Sequence, residues 1–387
     1  MPNYIIYVKK LFCCERCGNT DPKYIGNING KLYCRKCITF KGEEAIYKKS
    51  SEKDVKFYLN FTLSDEQKEI SSRVKDNFIN KKNSLIYAVT GAGKTEIVYE
   101  VISYALSKGG KVGFAIPRKD VVIELEPRLR KAFKNEKVVA VYGGHNKDLY
   151  GDITLLTTHQ LYRYKNYFDL LIIDEIDAFP YQNNDILHIF FLKSYRTNFV
   201  LMSATPSDEI IDYFNKNGCV LRLFKRFHNN PLIVPSVKKC SASQQFILLF
   251  KILKRFKSEN KPVLIFVPTI DLCKKVYKIL HLFFKNIEFV HSKKENKEII
   301  MNQFRLKKFF CLVTTTILER GITIDNLQVV VLFANHRIFN YQTLIQIAGR
   351  VGRNTKHPKG EVIFLTNEVN EDIKISIRKI QEFNKFL

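Results

Sequence analysis

The stretch that most narrows what this chain can fold into is AVTGAGKTE, residues 88–96. Apolar, β-branched residues lead into it in SLIYAV, as in a buried strand. From Lys94 onward, KTEIVYEVISYALSKGG places Ile97, Val98, Val101, Ile102, Ala105 and Leu106 at the spacing of one helix face. Gly109 and Gly110 stop that helix. The turn of Thr90, Gly91, Ala92 and Gly93 therefore joins strand to helix, the setting of a phosphate cradle. Glycines let successive backbone N–H groups converge on phosphate oxygens at the positive end of a helix. Lys94 adds a point charge for the β and γ phosphates, and the Thr95 hydroxyl is a ligand for Mg²⁺. The strict pattern opens with Gly; here Ala88 holds that place.

The rest of the chain extends this strand-to-helix grammar. Strand-like runs SLIYAV, KVGFAI, ITLLTT, FDLLIID and NFVLMSAT alternate with helix-length amphipathic stretches. The pattern breaks at two prolines in residues 225–237, and a second series follows with PVLIFV, IEFVH, FFCLVTTT, VVVLF and EVIFL. This predicts an α/β fold with two tandem domains, each a parallel sheet flanked by helices. The expected boundaries are 1–50 for a small cysteine-rich block with its linker, 51–228 for the first α/β domain and 229–387 for the second. KGEEAIYKKSSEKD, from Lys41, is polar and charged and reads as linker.

Acids and arginines complete the nucleotide chemistry. FDLLIIDEID ends an apolar strand in Asp174, Glu175 and Asp177, at the strand end where open α/β sheets bind ligands. Asp174 suits Mg²⁺, Glu175 suits orienting or deprotonating an attacking water, and Asp177 suits bonding within the domain. The hydroxyls of Ser203 and Thr205 suit bonds to those acids and to the neighbouring domain. TLSDEQKE offers Gln67, whose amide matches an adenine edge. In the second domain LIQIAGRVGR supplies Gln346, Arg350 and Arg353. An arginine reaching across to the γ-phosphate couples domain closure to hydrolysis; the alternative is a basic turn on nucleic-acid phosphate. TTTILERGITID, from Thr314, offers Gly321 and Asp325 to nucleotide, nucleic acid or both.

Nine cysteines include Cys14-x-x-Cys17 and Cys34-x-x-Cys37, sixteen residues apart. This is the spacing of two knuckles closing on one tetrahedral Zn²⁺, and four thiolates make a structural rather than a catalytic site. NGK at 29–31 suits a hairpin tip between the knuckles. Cys13 stands outside this spacing.

Composition sets the partner class. Hydrophobic residues make up 45% of the 387, which is a folded globular composition. Lys and Arg number 63 against 38 Asp and Glu, a net charge of +25 that attracts polyanions, either nucleic acid or an anionic membrane surface. A chain rich in Lys, Asn, Ile and Phe and lacking Trp also gains basic surface through compositional bias alone. No apolar run has the length of a membrane span and the first residues do not read as a secretory signal, so a cytoplasmic protein is expected.

The P-loop, DEID, SAT, TTTILERG and QIAGRVGR stand in the order and approximate spacing of superfamily 2 helicase motors, and residues 57–387 resemble that family. The A-x-x-G-x-G-K-T form of the loop is similar to helicase versions with Ala at the first place. The resemblance implies two RecA-like domains with ATP in their cleft and single-stranded nucleic acid across their top. It further implies that Pro117, Arg118, Thr157, Thr158, His159, Thr269, His291, Ser292 and Thr315 face the nucleic-acid backbone. With its four-cysteine block in front, nearly the whole chain is similar to the late competence protein ComFA family, through PRKDVVIEL, DEIDAFP and TTTILERGITI. That resemblance implies a cytoplasmic ATPase, peripheral at the inner face of the membrane, that pulls single-stranded DNA through a channel in natural transformation. Its implied cofactors are ATP, Mg²⁺ and structural Zn²⁺. Its implied partners are single-stranded DNA, a ComEC-like channel and a ComFC-like protein of phosphoribosyltransferase fold. The primosomal helicase PriA resembles the chain in TGxGKTE, SATPS and GRVGR, but carries its cysteines between motor motifs. A nucleotide-gated DNA-binding scaffold with little turnover is the reading from another class.

Overall fold

The structure of the chain is a computed structural model that describes residues 13–386, apart from 179, 180, 182, 183, 227, 229, 317–323 and 355. A hairpin of β1 (Ile25–Ile28) and β2 (Lys31–Cys34) comes first. Asn29 and Gly30 both take positive φ at its tip, 50° and 82°, as a tight primed turn requires.

Two α/β lobes follow. The first contains β3 (Ser84–Ala88), β4 (Val112–Ile116), β5 (Val138–Val141), β6 (Ile153–Thr157), β7 (Phe168–Ile173), β8 (Tyr195–Ser203) and β9 (Cys219–Leu223), in the order β5-β6-β4-β7-β8-β3-β9. The second contains β10 (Ser236–Lys239), β11 (Val263–Phe266), β12 (Ile287–Val290), β13 (Cys311–Thr314), β14 (Gln328–Leu332) and β15 (Val362–Thr366), in the order β10-β15-β14-β11-β13-β12. Every pairing described in both sheets is parallel. Helices cover both faces, so the central strands are buried on both sides and read as unbroken apolar runs. This is the predicted pair of RecA-like domains. Each strand run singled out in the sequence forms a strand; β5, β9 and β10 are additional. All three are short edge strands; β9 and β10 carry Arg222, Lys238 and Lys239, while β5 is apolar throughout.

The segment after the cysteine block has no regular secondary structure between residues 43 and 59, yet it does not dangle. Ala45 N donates to Arg163 O, Ser50 N to Gly109 O, Lys53 N to Ser107 O and Tyr58 N to Ala132 O, at 2.7–3.1 Å. Ser103 Oγ donates to Val55 O, and the Ala45 and Val55 side chains are buried. The polar stretch that reads as linker is a strap sewn along the first lobe, because its backbone groups find partners at helix and strand ends.

The parallel topology has a direct consequence for function. The carboxyl ends of all strands in a lobe lie on one edge, where loops converge; the phosphate loop, the acid pair and the residues expected to face nucleic acid lie at such ends, while Gln67, Gln346, Arg350 and Arg353 are carried on helices or just past one.

Candidate functional site

The phosphate loop leaves β3 through Val89, whose N–H donates to Leu223 O. Gly91 and Gly93 take φ of 84° and 77°, a conformation that L-residues with a Cβ rarely hold. Gly93 is also crowded: a Cβ there would lie 2.5 Å from Gln67 Nε2. The helix then starts at Lys94. Thr90 Oγ1 is buried without a hydrogen-bond partner among the described residues and packs against Gly349 of the second lobe.

Thr90, Gly91, Ala92, Gly93, Lys94 and Thr95 share one cleft with Asp174, Glu175, Gln346, Arg350 and Arg353, in a cavity of about 220 Å³. The last three come from the second lobe, on or just after the helix Tyr341–Ala348. Asp174 and Glu175 follow β7; Asp174 Oδ1 accepts from Glu175 N at 2.8 Å. Glu175 has φ 56°, an uncommon conformation for a glutamate and one that tends to occur at functional sites. Burial pulls the Arg353 guanidinium down to about 10, with Glu175 and Glu124 opposing, so it remains a cation at neutral pH. Its Nε donates to Gly349 O at 2.9 Å.

Asp177 is buried and accepts from Ser203 Oγ at 2.8 Å and Thr205 Oγ1 at 2.6 Å. Gln342 of the second lobe donates to Thr205 O at 3.4 Å. The SAT segment thus bonds the acid strand through its hydroxyls and, through the Thr205 carbonyl, the helix that carries Gln346, with Arg350 and Arg353 just beyond its end.

Other expected nucleotide residues lie elsewhere. Gln67 does not line this cleft. It is buried, its Nε2 donates to Ala92 O at 2.8 Å, and its Oε1 accepts from Ser64 N at 2.9 Å. It closes a capping box on the helix Asp65–Ile79 and holds the back of the phosphate loop. Asp325 faces His357 Nε2 at 3.5 Å and Lys307 Nζ at 3.9 Å, outside the cleft lining. Gly321 lies outside the described residues. Three cleft-side residues escaped the sequence reading. Glu96 and Arg128 form an ion pair at the cleft wall. Arg226 is fully buried beneath the phosphate loop. No pattern in KRFHNN distinguishes Arg226 from a surface cation; only tertiary packing does.

The residues expected to face nucleic acid occupy strand carboxyl ends in both lobes. Pro117 and Arg118 follow β4, Thr157 ends β6, and Thr158 and His159 follow it. In the second lobe Thr269 follows β11 and caps the helix Ile270–Phe283, His291 and Ser292 follow β12, and Thr315 follows β13. Arg118 is paired with Asp120 at 2.7 Å. Thr158 Oγ1 and His291 Nδ1 are buried without a hydrogen-bond partner among the described residues. Burial, then Lys274, Lys294 and Lys293, hold His291 below the usual imidazole range, which marks this edge as electropositive. Burial does the same to His159, which stacks against Phe40 of the cysteine block.

The four cysteines converge as expected. Cys14 Sγ and Cys37 Sγ are 3.6 Å apart, as are Cys17 Sγ and Cys34 Sγ, and all four lie within 4.8 Å of one another. A tetrahedral ion at about 2.3 Å from each thiolate sets neighbouring sulfurs about 3.8 Å apart, so this donor set fits Zn²⁺ with no open position. Cys13 is exposed and outside the cluster.

Comparison with known proteins agrees with this geometry. The family model described as Type III restriction enzyme, res subunit, matches residues 60–208, and that of the helicase conserved C-terminal domain matches residues 244–355. The chain is 34% identical to competence protein ComFA of Bacillus subtilis (strain 168) over 99% of its own length and 88% of that protein. It is 35% identical to competence protein ComFA of Streptococcus pneumoniae, over 97% and 91%. Among solved structures, S. cerevisiae Dbp5 bound to RNA and ADP BeF3 superposes with a TM-score of 0.63, at 17% identity, covering 84% of this chain and 92% of that one. At that identity the likeness is one of fold.

Proposed function

The chain belongs to the ComFA family of superfamily 2 helicase-like proteins, competence-associated and ATP-dependent, and from that premise we propose that it is a single-stranded DNA translocase that powers DNA uptake in natural transformation. One observation carries this reading: Lys94 and the Asp174–Glu175 pair of one lobe share a cleft with Arg350 and Arg353 of the other. A triphosphate between them draws the lobes together, with Lys94 and the loop amides on its phosphates and the two arginines on the terminal one. Glu175 takes the proton of the attacking water. Thr95 and Asp174 would hold Mg²⁺, which would supply charge neutralisation at the phosphates. Hydrolysis loosens the arginine contact, the lobes part, and the strand held across their carboxyl edges advances.

The strand-end residues from Pro117 to Thr315 grip the phosphodiester backbone, so sequence preference is weak. The proposed partners are a ComEC-like channel and a ComFC-like protein, with the motor at the inner face of the cytoplasmic membrane. Among the described residues no helix is long and apolar enough to cross a membrane, which suits peripheral association.

The testing experiment is ATP turnover with and without single-stranded DNA, paired with a directional translocation assay on single strands and a blunt duplex as comparison. Stimulation by single strands and one-way movement are expected. A rate that ignores DNA and survives Lys94→Ala sinks the reading. Affinity for the strand should fall linearly on a log–log salt plot, with a slope of about −0.7 for each phosphate contact. A flat response would remove backbone gripping from the mechanism.

We further propose that the cysteine cluster holds structural Zn²⁺. Chelation is expected to unfold residues 13–40 while the two lobes keep their hydrogen-exchange protection. Collapse of all three together would show that the block is integral to the motor core.

A further inference from the structure

One buried cation beside the cleft takes no part in the chemistry proposed for it. Arg226, just past β9 where the chain passes between lobes, is 1% exposed. Its Nε donates to Thr90 O at 3.2 Å, in the phosphate loop. Its Nη1 donates to Val351 O at 3.0 Å and Gly352 O at 2.8 Å, and its Nη2 to Gly349 O at 3.1 Å. Four of the five guanidinium donors are thus spent on main-chain carbonyls from both lobes, and no acidic partner stands against it among the described residues. The three second-lobe carbonyls follow the C-terminus of the helix Tyr341–Ala348, where unsatisfied carbonyls and the helix dipole favour a cation.

The same two lobes touch at a second point. A Cβ on Gly349 would lie 2.0 Å from Thr90 Oγ1, so the lobes approach as closely as they do only because residue 349 is glycine. Arg226 holds the carbonyls of these same two residues. Burying a guanidinium without a carboxylate is costly unless its donors are satisfied, and the lobes satisfy them only when juxtaposed. Opening the cleft would strand them.

We propose that Arg226 is a positioning residue, a clasp that sets the turn bearing Arg350 and Arg353 over the phosphate loop and biases the lobes towards closure before nucleotide arrives. Arginine is required because a planar fork reaches carbonyls on two sides at once; a lysine ammonium is a single point. The inference rests on the motor reading, since the turn it positions is the one that senses the triphosphate.

The test uses the full chain with spin labels on unnatural residues at exposed positions of the two lobes. Interlobe distances are measured without nucleotide, and kcat and nucleotide affinity with single-stranded DNA present. Arg226→Ala should shift the distances to longer values. It should lower kcat by about 10²-fold, the cost of misplacing a catalytic group by about 1 Å, and weaken nucleotide affinity, because the triphosphate must then supply the closure that Arg226 supplied. Arg226→Lys should fall between the two. An unchanged distance distribution or an unchanged kcat overturns the proposal. If Arg226→Ala does not fold, Arg226→Lys and Gly349→Ala carry the same test with the same readings. If the wild-type chain shows no DNA-stimulated hydrolysis, the motor reading fails and the distances alone decide the clasp.

Discussion

Arg353→Ala is expected to lower DNA-stimulated ATP turnover by about 10³-fold or more while nucleotide still binds, the loss seen when an arginine finger is removed. Arg353 lies across the cleft from Lys94 and Glu175, reached from the other lobe. Its Nε is held by Gly349 O, which fixes the side chain while leaving its terminal donors available to the cleft. In the ground state the loop amides and Lys94 already hold the phosphates, so affinity should change little. In the transition state charge moves onto the terminal phosphate oxygens, and the guanidinium acts there. Arg353→Lys keeps the charge but not the fork and should recover only a small part of the rate. Single-turnover hydrolysis beside binding of a fluorescent nucleotide separates the two effects. Normal turnover with a shallower salt slope for DNA would assign this arginine to the nucleic-acid backbone instead.

Glu175→Gln is expected to slow hydrolysis by about 10²–10⁴-fold, the usual worth of a general base, and to trap the nucleotide-bound form. The substitution keeps shape and leaves the backbone bond from Glu175 N to Asp174 Oδ1 in place. The left-handed backbone at residue 175 aims this side chain into the cleft, and glutamine can follow the same path without being able to take a proton. The measurement is kcat against nucleotide affinity. Wild-type kcat would remove the base from Glu175, while loss of binding with kcat unchanged would give it a purely structural part.

How far the sequence could be read depended on the range of the interactions. The phosphate loop is local: strand, glycines and helix sit in one run, so its geometry was legible from residues 84–110. The central strands were legible because burial on both faces leaves no polar interruptions, whereas edge strands β9 and β10 are interrupted by Arg222, Lys238 and Lys239; β5 is apolar throughout, and no such interruption hid it. The cysteine spacing was legible because each knuckle is a two-residue loop closed by its own turn, with Gly18 at φ 67°. Gln67 shows the limit of motif reading. Ser64-x-x-Gln67 is a capping-box signature, and the amide that matches an adenine edge is here bonded to the cap and the loop. Arg226 and the Glu96–Arg128 pair were not legible, since their partners lie 32 or more positions away and no spacing rule links them. Asp177 was legible because its place after the acid pair leaves it facing inward, towards the hydroxyls of Ser203 and Thr205.

The sewn strap between the cysteine block and the first helix has a mechanical consequence. Its bonds to Arg163, Gly109, Ser107 and Ala132 are spread along the whole first lobe, so a load applied at the cysteine block is shared among many anchors rather than reaching a swivel. If the proposed motor cycle operates, the block is expected to move with that lobe, and whatever fastens to the block would serve as the mount against which the other lobe moves.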